Sequence, residues 1–186
     1  MPYLGTKRKV FVSHYKGDKA EVDVFINYFA NTKGVFTPHV LGANDNDDFI
    51  DSDDPDYVMG QIRKRYLRDS SVTIVLVGSC THSRRYVDWE IKASLMQGES
   101  IPNGLIGIIL PSKGNNAYLP PRFEENWTSG HVDCYARYWT YSNSPATLSS
   151  WIEDAYLART TRSHLIRNPH EMMRYNAKCR VCGITH

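Results

Sequence analysis

The apolar positions of this chain alternate between two rhythms, one of strands and one of helices. Residues 8–13 form a short β-branched and aromatic run, Arg-Lys-Val-Phe-Val-Ser, which predicts a strand. Asp18, with Glu21 three positions later, predicts a capping box. Val22, Phe25, Ile26 and Phe29 then recur at helical spacing as far as Gly34, a C-terminal stop. Residues 35–41 predict a second strand, which Pro38 makes irregular or an edge. Residues 57–67 predict a helix with Val58, Ile62 and Tyr66 facing inward. Residues 72–77 are unbroken Val-Thr-Ile-Val-Leu-Val, the pattern of a central parallel strand buried on both faces.

The second half repeats the alternation. Ser83 predicts the cap of a helix in which Val87, Ile91 and Leu95 recur every four residues until Gly98. Residues 105–110 predict another apolar strand, closed by Pro111, and residues 111–131 predict a loop. Residues 135–141 predict a fifth strand. Ser144-Pro145 opens a helix to about Arg159, with Leu148, Trp151, Ile152 and Ala155 inward. The order βαβαβαβ, loop, βα predicts an α/β fold with a five-stranded, mainly parallel sheet between two helical layers. Five strands favour the flavodoxin-like order, which puts a functional site at the carboxyl ends of the strands.

Composition narrows the function classes. The chain has 186 residues, 41% hydrophobic and 23% charged, which is globular composition. No apolar run reaches the roughly 18–20 residues of a membrane span. The opening MPYLGTKRKV lacks the apolar stretch of a signal peptide, so a cytoplasmic location is expected. Four cysteines are then no disulfide framework. With 22 Lys and Arg against 20 Asp and Glu, global attraction to nucleic acid is not expected. The balance conceals segregation: residues 45–56 hold seven Asp, leaving 22 basic against 13 acidic elsewhere. The rest of the chain is thus mainly basic. The Asp cluster lacks the Gly and terminal Glu of a calcium loop and predicts a solvated loop.

The common nucleotide and hydrolase signatures are absent. No G-x-G-x-x-G follows the first strand, no P-loop occurs, and no nucleophile elbow surrounds Ser79. His170-Glu171-Met172-Met173-Arg174 fails as a zinc motif, because Arg replaces the second histidine. What remains lies after strands one and three. The first strand empties into Ser13-His14-Tyr15-Lys16-Gly17-Asp18, and the third into Gly78-Ser79-Cys80-Thr81-His82-Ser83 ahead of a helix. Glu90 follows Tyr86 by four residues and shares its helix face, whereas Asp88 points elsewhere.

Lys-Val-Phe-Val-Ser-His-Tyr resembles the opening strand of a TIR domain. Ser-Val-Thr-Ile-Val-Leu-Val-Gly-Ser and Ser-Arg-Arg-Tyr-Val-x-Trp-Glu-Ile resemble the TIR third strand and catalytic helix. The combination most resembles the TIR-like ThsB subunits of bacterial Thoeris anti-phage defence, over about residues 7–110. The resemblance implies an NAD+ glycohydrolase or cyclase, with Glu90 as the catalytic glutamate and NAD+ as substrate rather than cofactor. It implies substrate-binding roles for Ser13, His14, Tyr15, Ser79, Arg84 and Tyr86. It also implies a cyclic or conjugated ADP-ribose product, a separate effector that reads it, a phage protein as trigger and a homo-oligomer. Tyr86 departs from the family, where Trp is frequent.

Two alternatives stay open: a non-catalytic TIR-type interaction module, and a nucleoside deoxyribosyltransferase-like N-glycosidic enzyme. The chain divides into a TIR-like domain over 1–160 and a basic extension over 161–186. No complete metal site is legible. Cys179-x2-Cys182-x3-His186 supplies three zinc ligands, and a fourth would have to come from His170, His164 or Cys134.

Overall fold

The computed structural model describes residues 6–40, 52, 54–98, 100–114 and 117–186. Most of the Asp-rich cluster lies outside the described residues. Among the described residues, five strands form one sheet: β1 (Arg8–His14), β2 (Phe36–Val40), β3 (Val72–Val77), β4 (Gly104–Ile109) and β5 (Arg137–Thr140). Their order is β2-β1-β3-β4-β5 with every neighbour parallel, the flavodoxin-like arrangement that the alternation predicts. Pro38 sits on the edge strand β2, where a missing N–H costs no ladder bond on the outer side.

The helices are α1 (Lys19–Ile26), α2 (Pro55–Ile62), α3 (Arg85–Leu95), α4 (Pro121–Glu124) and α5 (Pro145–Thr161). Both α1 and α2 continue as π-wound segments, Asn27–Thr32 and Arg63–Leu67. Alternation along the strands separates two cores. Val10 and Val12 pack with Phe25 of α1 and Ile152 of α5, while Phe11 faces Val58 and Ile62 of α2 and Trp89 of α3. Val75, Val77 and Leu105 meet Val87, Ile91 and Leu95 of α3. β3 is buried along its whole length, as its apolar run requires.

Several local expectations need correction. The Asp18 side chain makes no cap bond, because its carboxylate turns toward Thr81. Ser83 does not cap α3: it lies in a turn of 3-10 geometry at Thr81–Ser83, its hydroxyl donates to the Cys80 carbonyl, and Arg84 occupies the cap position. Residues 111–131 contain α4 and two further single turns. Ser144 caps α5 as expected, accepting from the Thr147 N–H at 3.3 Å. Among the described residues, no helix is long and apolar enough to cross a membrane.

Candidate functional site

The site grows from the carboxyl ends of β1 and β3. Successive β1 side chains point to opposite faces, so Ser13 joins Phe11 on the α3 side and His14 turns the other way, toward α1. Burial holds the His14 imidazole below its ordinary pKa. Facing Ser13 is Glu90, only 4% exposed. Burial pushes its carboxyl up from 4.5 to about 8, and the Ser13 hydroxyl opposes the shift. Among the described residues, neither Glu90 Oε2 nor Ser13 Oγ has a well-formed hydrogen bond.

A buried polar chain fixes the rotation of α3 and therefore the direction of Glu90. Ser94 Oγ donates to the Glu90 carbonyl at 2.8 Å, so it accepts from Thr73 Oγ1 at 2.7 Å. Thr73 in turn accepts from Asn103 Nδ2 at 3.2 Å. Each link has one donor and one acceptor, so the chain has a single direction.

In the loops that follow β1 and β3 lie Tyr15, Asp18, Thr81 and Arg84. The Arg84 guanidinium stacks over the Tyr15 ring at 4.1 Å. Arg84 is buried, and its Nε and Nη2 lack a partner among the described residues. The Thr81 hydroxyl also accepts from the Gly78 N–H at 2.8 Å. A Cβ on Gly78 would fall 2.0 Å from Asp18 Oδ2, so glycine is what lets that carboxylate approach the strand end. Burial, then the neighbouring Glu21, raises the Asp18 pKa.

Asp88 is occupied elsewhere. It forms a buried pair with Arg122 at 2.8 Å and accepts the Met173 N–H at 2.9 Å. Arg122 spends its remaining donors on Asn168 Oδ1 and the carbonyls of His170 and Glu171. The C-terminal segment is thereby laid along α3: Trp89 Nε1 donates to the Met173 carbonyl, Lys92 to the His170 carbonyl, and Ala177 N–H to the Ser83 carbonyl. The far end of this segment reaches the β3–α3 turn. Cys80 Sγ lies 3.1 Å from Cys179 Sγ, 3.6 Å from Cys182 Sγ and 3.5 Å from His186 Nε2. The His186 ring also sits 5.8 Å from Tyr15.

Of the residues singled out from sequence, Ser13 and Glu90 meet, and Tyr15 and Arg84 meet each other in the loops after β1 and β3. His14 takes the opposite face. Tyr86 packs toward α2 and Trp89, with its hydroxyl accepting from Arg85 Nη2. The Ser79 carbonyl faces Cys179 Sγ at 3.5 Å. The expected sources of a fourth thiol-site ligand need correction. His170 pairs with Glu125, His164 lies in the turn after α5, and Cys134 is buried in the approach to β5. Cys80 fills that place instead. Cys80 stands 99 residues from Cys179, beyond the reach of any local spacing motif.

The described cavity of about 480 Å³, lined in part by Gln97, Ile101, Pro102 and Arg159, opens near the amino end of β4, away from this site. Chemically, a buried carboxyl beside a hydroxyl at the carboxyl end of a parallel strand suits stabilisation of a developing cation. Comparison with curated proteins returned no match. The family described as Thoeris protein ThsB, TIR-like domain, matches residues 11–115, which run from β1 through β4 and include Glu90. With more than half of its 186 residues matched and the β2-β1-β3-β4-β5 sheet in place, the chain belongs to the ThsB TIR-like domain family of the Thoeris proteins.

Proposed function

We propose that this protein cleaves the nicotinamide glycosidic bond of NAD+, with Glu90 as the catalytic carboxylate. The product is a cyclic or conjugated ADP-ribose that a separate effector reads during phage infection. The observation that carries the reading is the Glu90 carboxyl itself. It is buried, raised to about 8 and directed at Ser13 on the end of β1, within the matched family segment. Buried titratable groups of this kind concentrate at functional sites.

One carboxylate suffices for this bond. An ordinary glycosidase needs an acid to protonate its leaving group. Nicotinamide in NAD+ is already cationic and leaves neutral, so the proton donor is dispensable. Positive charge then develops on the ribose, and ionised Glu90 stabilises it or orients a ribose hydroxyl. The cation in turn favours the ionised form, drawing the Glu90 pKa down from about 8 once substrate binds. Attack by water gives hydrolysis, and attack by a group of the same nucleotide gives cyclisation. Tyr15, stacked under Arg84 two residues after Ser13, is the group we assign to the nucleotide base.

The test is mass spectrometry of small molecules from phage-infected cells carrying wild type or Glu90→Gln. An ADP-ribose derivative present in the first and absent in the second is the expected result. A second reading, a non-catalytic module that docks TIR partners, is favoured by the closure of the site, with Glu90 4% exposed. On that reading Glu90→Gln defends as well as wild type and no nucleotide product forms. For the enzyme, the same closure fits a latent state that a phage protein opens.

A further inference from the structure

We infer that this chain holds a structural zinc ion between Cys80, Cys179, Cys182 and His186, and that the ion fastens the C-terminal segment across the helix carrying Glu90. The inference stands apart from NAD+ cleavage. Three of the four groups lie beyond the matched residues 11–115.

Four observations converge on a metal. Cys80 Sγ, Cys182 Sγ and His186 Nε2 lie mutually within 4.8 Å, and Cys179 Sγ is 3.1 Å from Cys80 Sγ. A tetrahedral zinc with sulfur at about 2.3 Å and nitrogen at about 2.0 Å separates its ligand atoms by roughly 3.5–3.8 Å. Four of the six edges, at 3.6, 3.5, 3.1 and 3.1 Å, come close to those values, and Cys179 Sγ, which stands outside the mutual group of three, completes the tetrahedron by a side-chain rotation. The set of three thiols and one imidazole matches the composition of structural zinc sites.

Local backbone geometry supplies the second observation. The Cys179–Cys182 turn aims the Val181 N–H at Cys179 Sγ at 3.4 Å, an arrangement that favours a thiolate. The Gly183 N–H returns to the Cys179 carbonyl at 2.9 Å, and Gly183 adopts φ +73, which a residue with a side chain rarely does. The pattern Cys-x-x-Cys-Gly is therefore folded as a knuckle that presents two sulfurs to one point.

The charge balance is the third. On binding, the three thiols release their protons to solvent, and Zn2+ with three thiolates and a neutral imidazole carries one net negative charge. Arg84 stands beside Cys80 with Nε and Nη2 unpartnered among the described residues, and it supplies the compensating charge. The fourth is the placement of the segment: hydrogen bonds donated by Arg122, Trp89 and Lys92, and one accepted by the Ser83 carbonyl from Ala177, hold its course, yet its end lacks an apolar anchor, with Val181 and Ile184 exposed. A metal clip is how so short an end is closed. A disulfide would use two of the four groups and leave Cys182 and His186 converging without a reason.

The experiment uses the full chain purified without a polyhistidine tag, with bound metal measured by elemental mass spectrometry. Wild type is expected to carry close to one zinc per chain. Cys182→Ser and His186→Ala, both exposed positions that leave the core untouched, are expected to lose most of it. Cobalt reconstitution of the stripped chain should give the visible absorption of a tetrahedral thiolate site in wild type only. Trypsin should cut at Arg174, Lys178 and Arg180 at least tenfold faster after chelation. Equal zinc content in wild type and Cys182→Ser overturns the inference. So does failure of reduced, folded wild type to take up zinc or cobalt, or a Cys80–Cys179 disulfide found by mapping. Each of these outcomes leaves the Glu90 experiment standing.

Discussion

Replacing Glu90 by Gln should stabilise this protein, and increasingly so as the pH rises. The Glu90 pKa is about 8 in the folded chain against 4.5 for an unperturbed carboxyl, so between those values the folded chain holds a proton that the unfolded chain releases. Stability from this group is fully present below 4.5 and is lost as pH rises through about 8. At 1.36 kcal/mol per unit, the loss is about 1 kcal/mol at pH 5 and about 3 kcal/mol at pH 7. Gln is a neutral isostere and titrates nowhere in that window. Its amide inherits the same unsatisfied environment as the protonated acid, so the two proteins should be near equal at pH 4.5. For a chain of this length the gap at pH 7 corresponds to a Tm difference of roughly 6–12 °C. The assay is urea unfolding of both proteins at half-unit steps from pH 4.5 to 8, with m-values compared to confirm a common unfolded state. A Glu90→Gln advantage that does not change with pH would refute burial as the state of this carboxyl. It would place Glu90 in solvent, ionised throughout.

Four further outcomes follow from the same geometry. Arg122→Ala strands the buried Asp88 carboxylate and three acceptors on the C-terminal segment, so it should cost about 3–5 kcal/mol in urea unfolding, while the double change Asp88→Asn with Arg122→Met should recover part of that. Gly104→Ala would put a Cβ 2.0 Å from the Ala155 carbonyl oxygen, forcing α5 off β4, and should cost about 1–3 kcal/mol, with amide exchange of α5 accelerating more than that of α3. Ser144→Ala removes the hydroxyl that accepts the Thr147 N–H and should cost about 1 kcal/mol, read as a fall in Tm with no change in metal content. If NAD+ turnover is assayed across pH, kcat/KM should rise as free Glu90 ionises, through about 8 while the site stays closed and at lower pH once it is opened, and a flat profile would argue against it as the reacting carboxylate.

The closed face of this domain gives these predictions a common setting. Glu90 lies on the buried face of α3, and α3 sits behind the C-terminal segment, which touches it at Arg85, Asp88, Trp89 and Lys92. Any event that frees the segment loosens the helix that aims the carboxyl. Cys80 links the two, because it belongs to the turn after β3 and also meets Cys179 and Cys182.

Local periodicity carried enough information for the sheet. Val-Thr-Ile-Val-Leu-Val is apolar throughout because β3 has neighbours and helices on all sides, and Pro38 marks the edge because an edge strand tolerates a missing donor. The same logic located α3 and separated Glu90 from Asp88, since positions two apart on a helix diverge. What the chain could not reveal locally were pairings across long separations. Asp88 finds Arg122 at a distance of 34 residues, and Cys80 finds Cys179, Cys182 and His186 at 99, 102 and 106. Asp18 reads as a cap in sequence because cap chemistry is local; in the fold it prefers Thr81 and the bare Gly78, 60 or more residues away. The elements and the carboxylate were thus determined by the sequence, through backbone periods of two and 3.6 residues. The partners of each buried charge and thiol were decided only by the tertiary structure, because burial leaves a polar group no solvent and makes it take whatever the topology brings within reach.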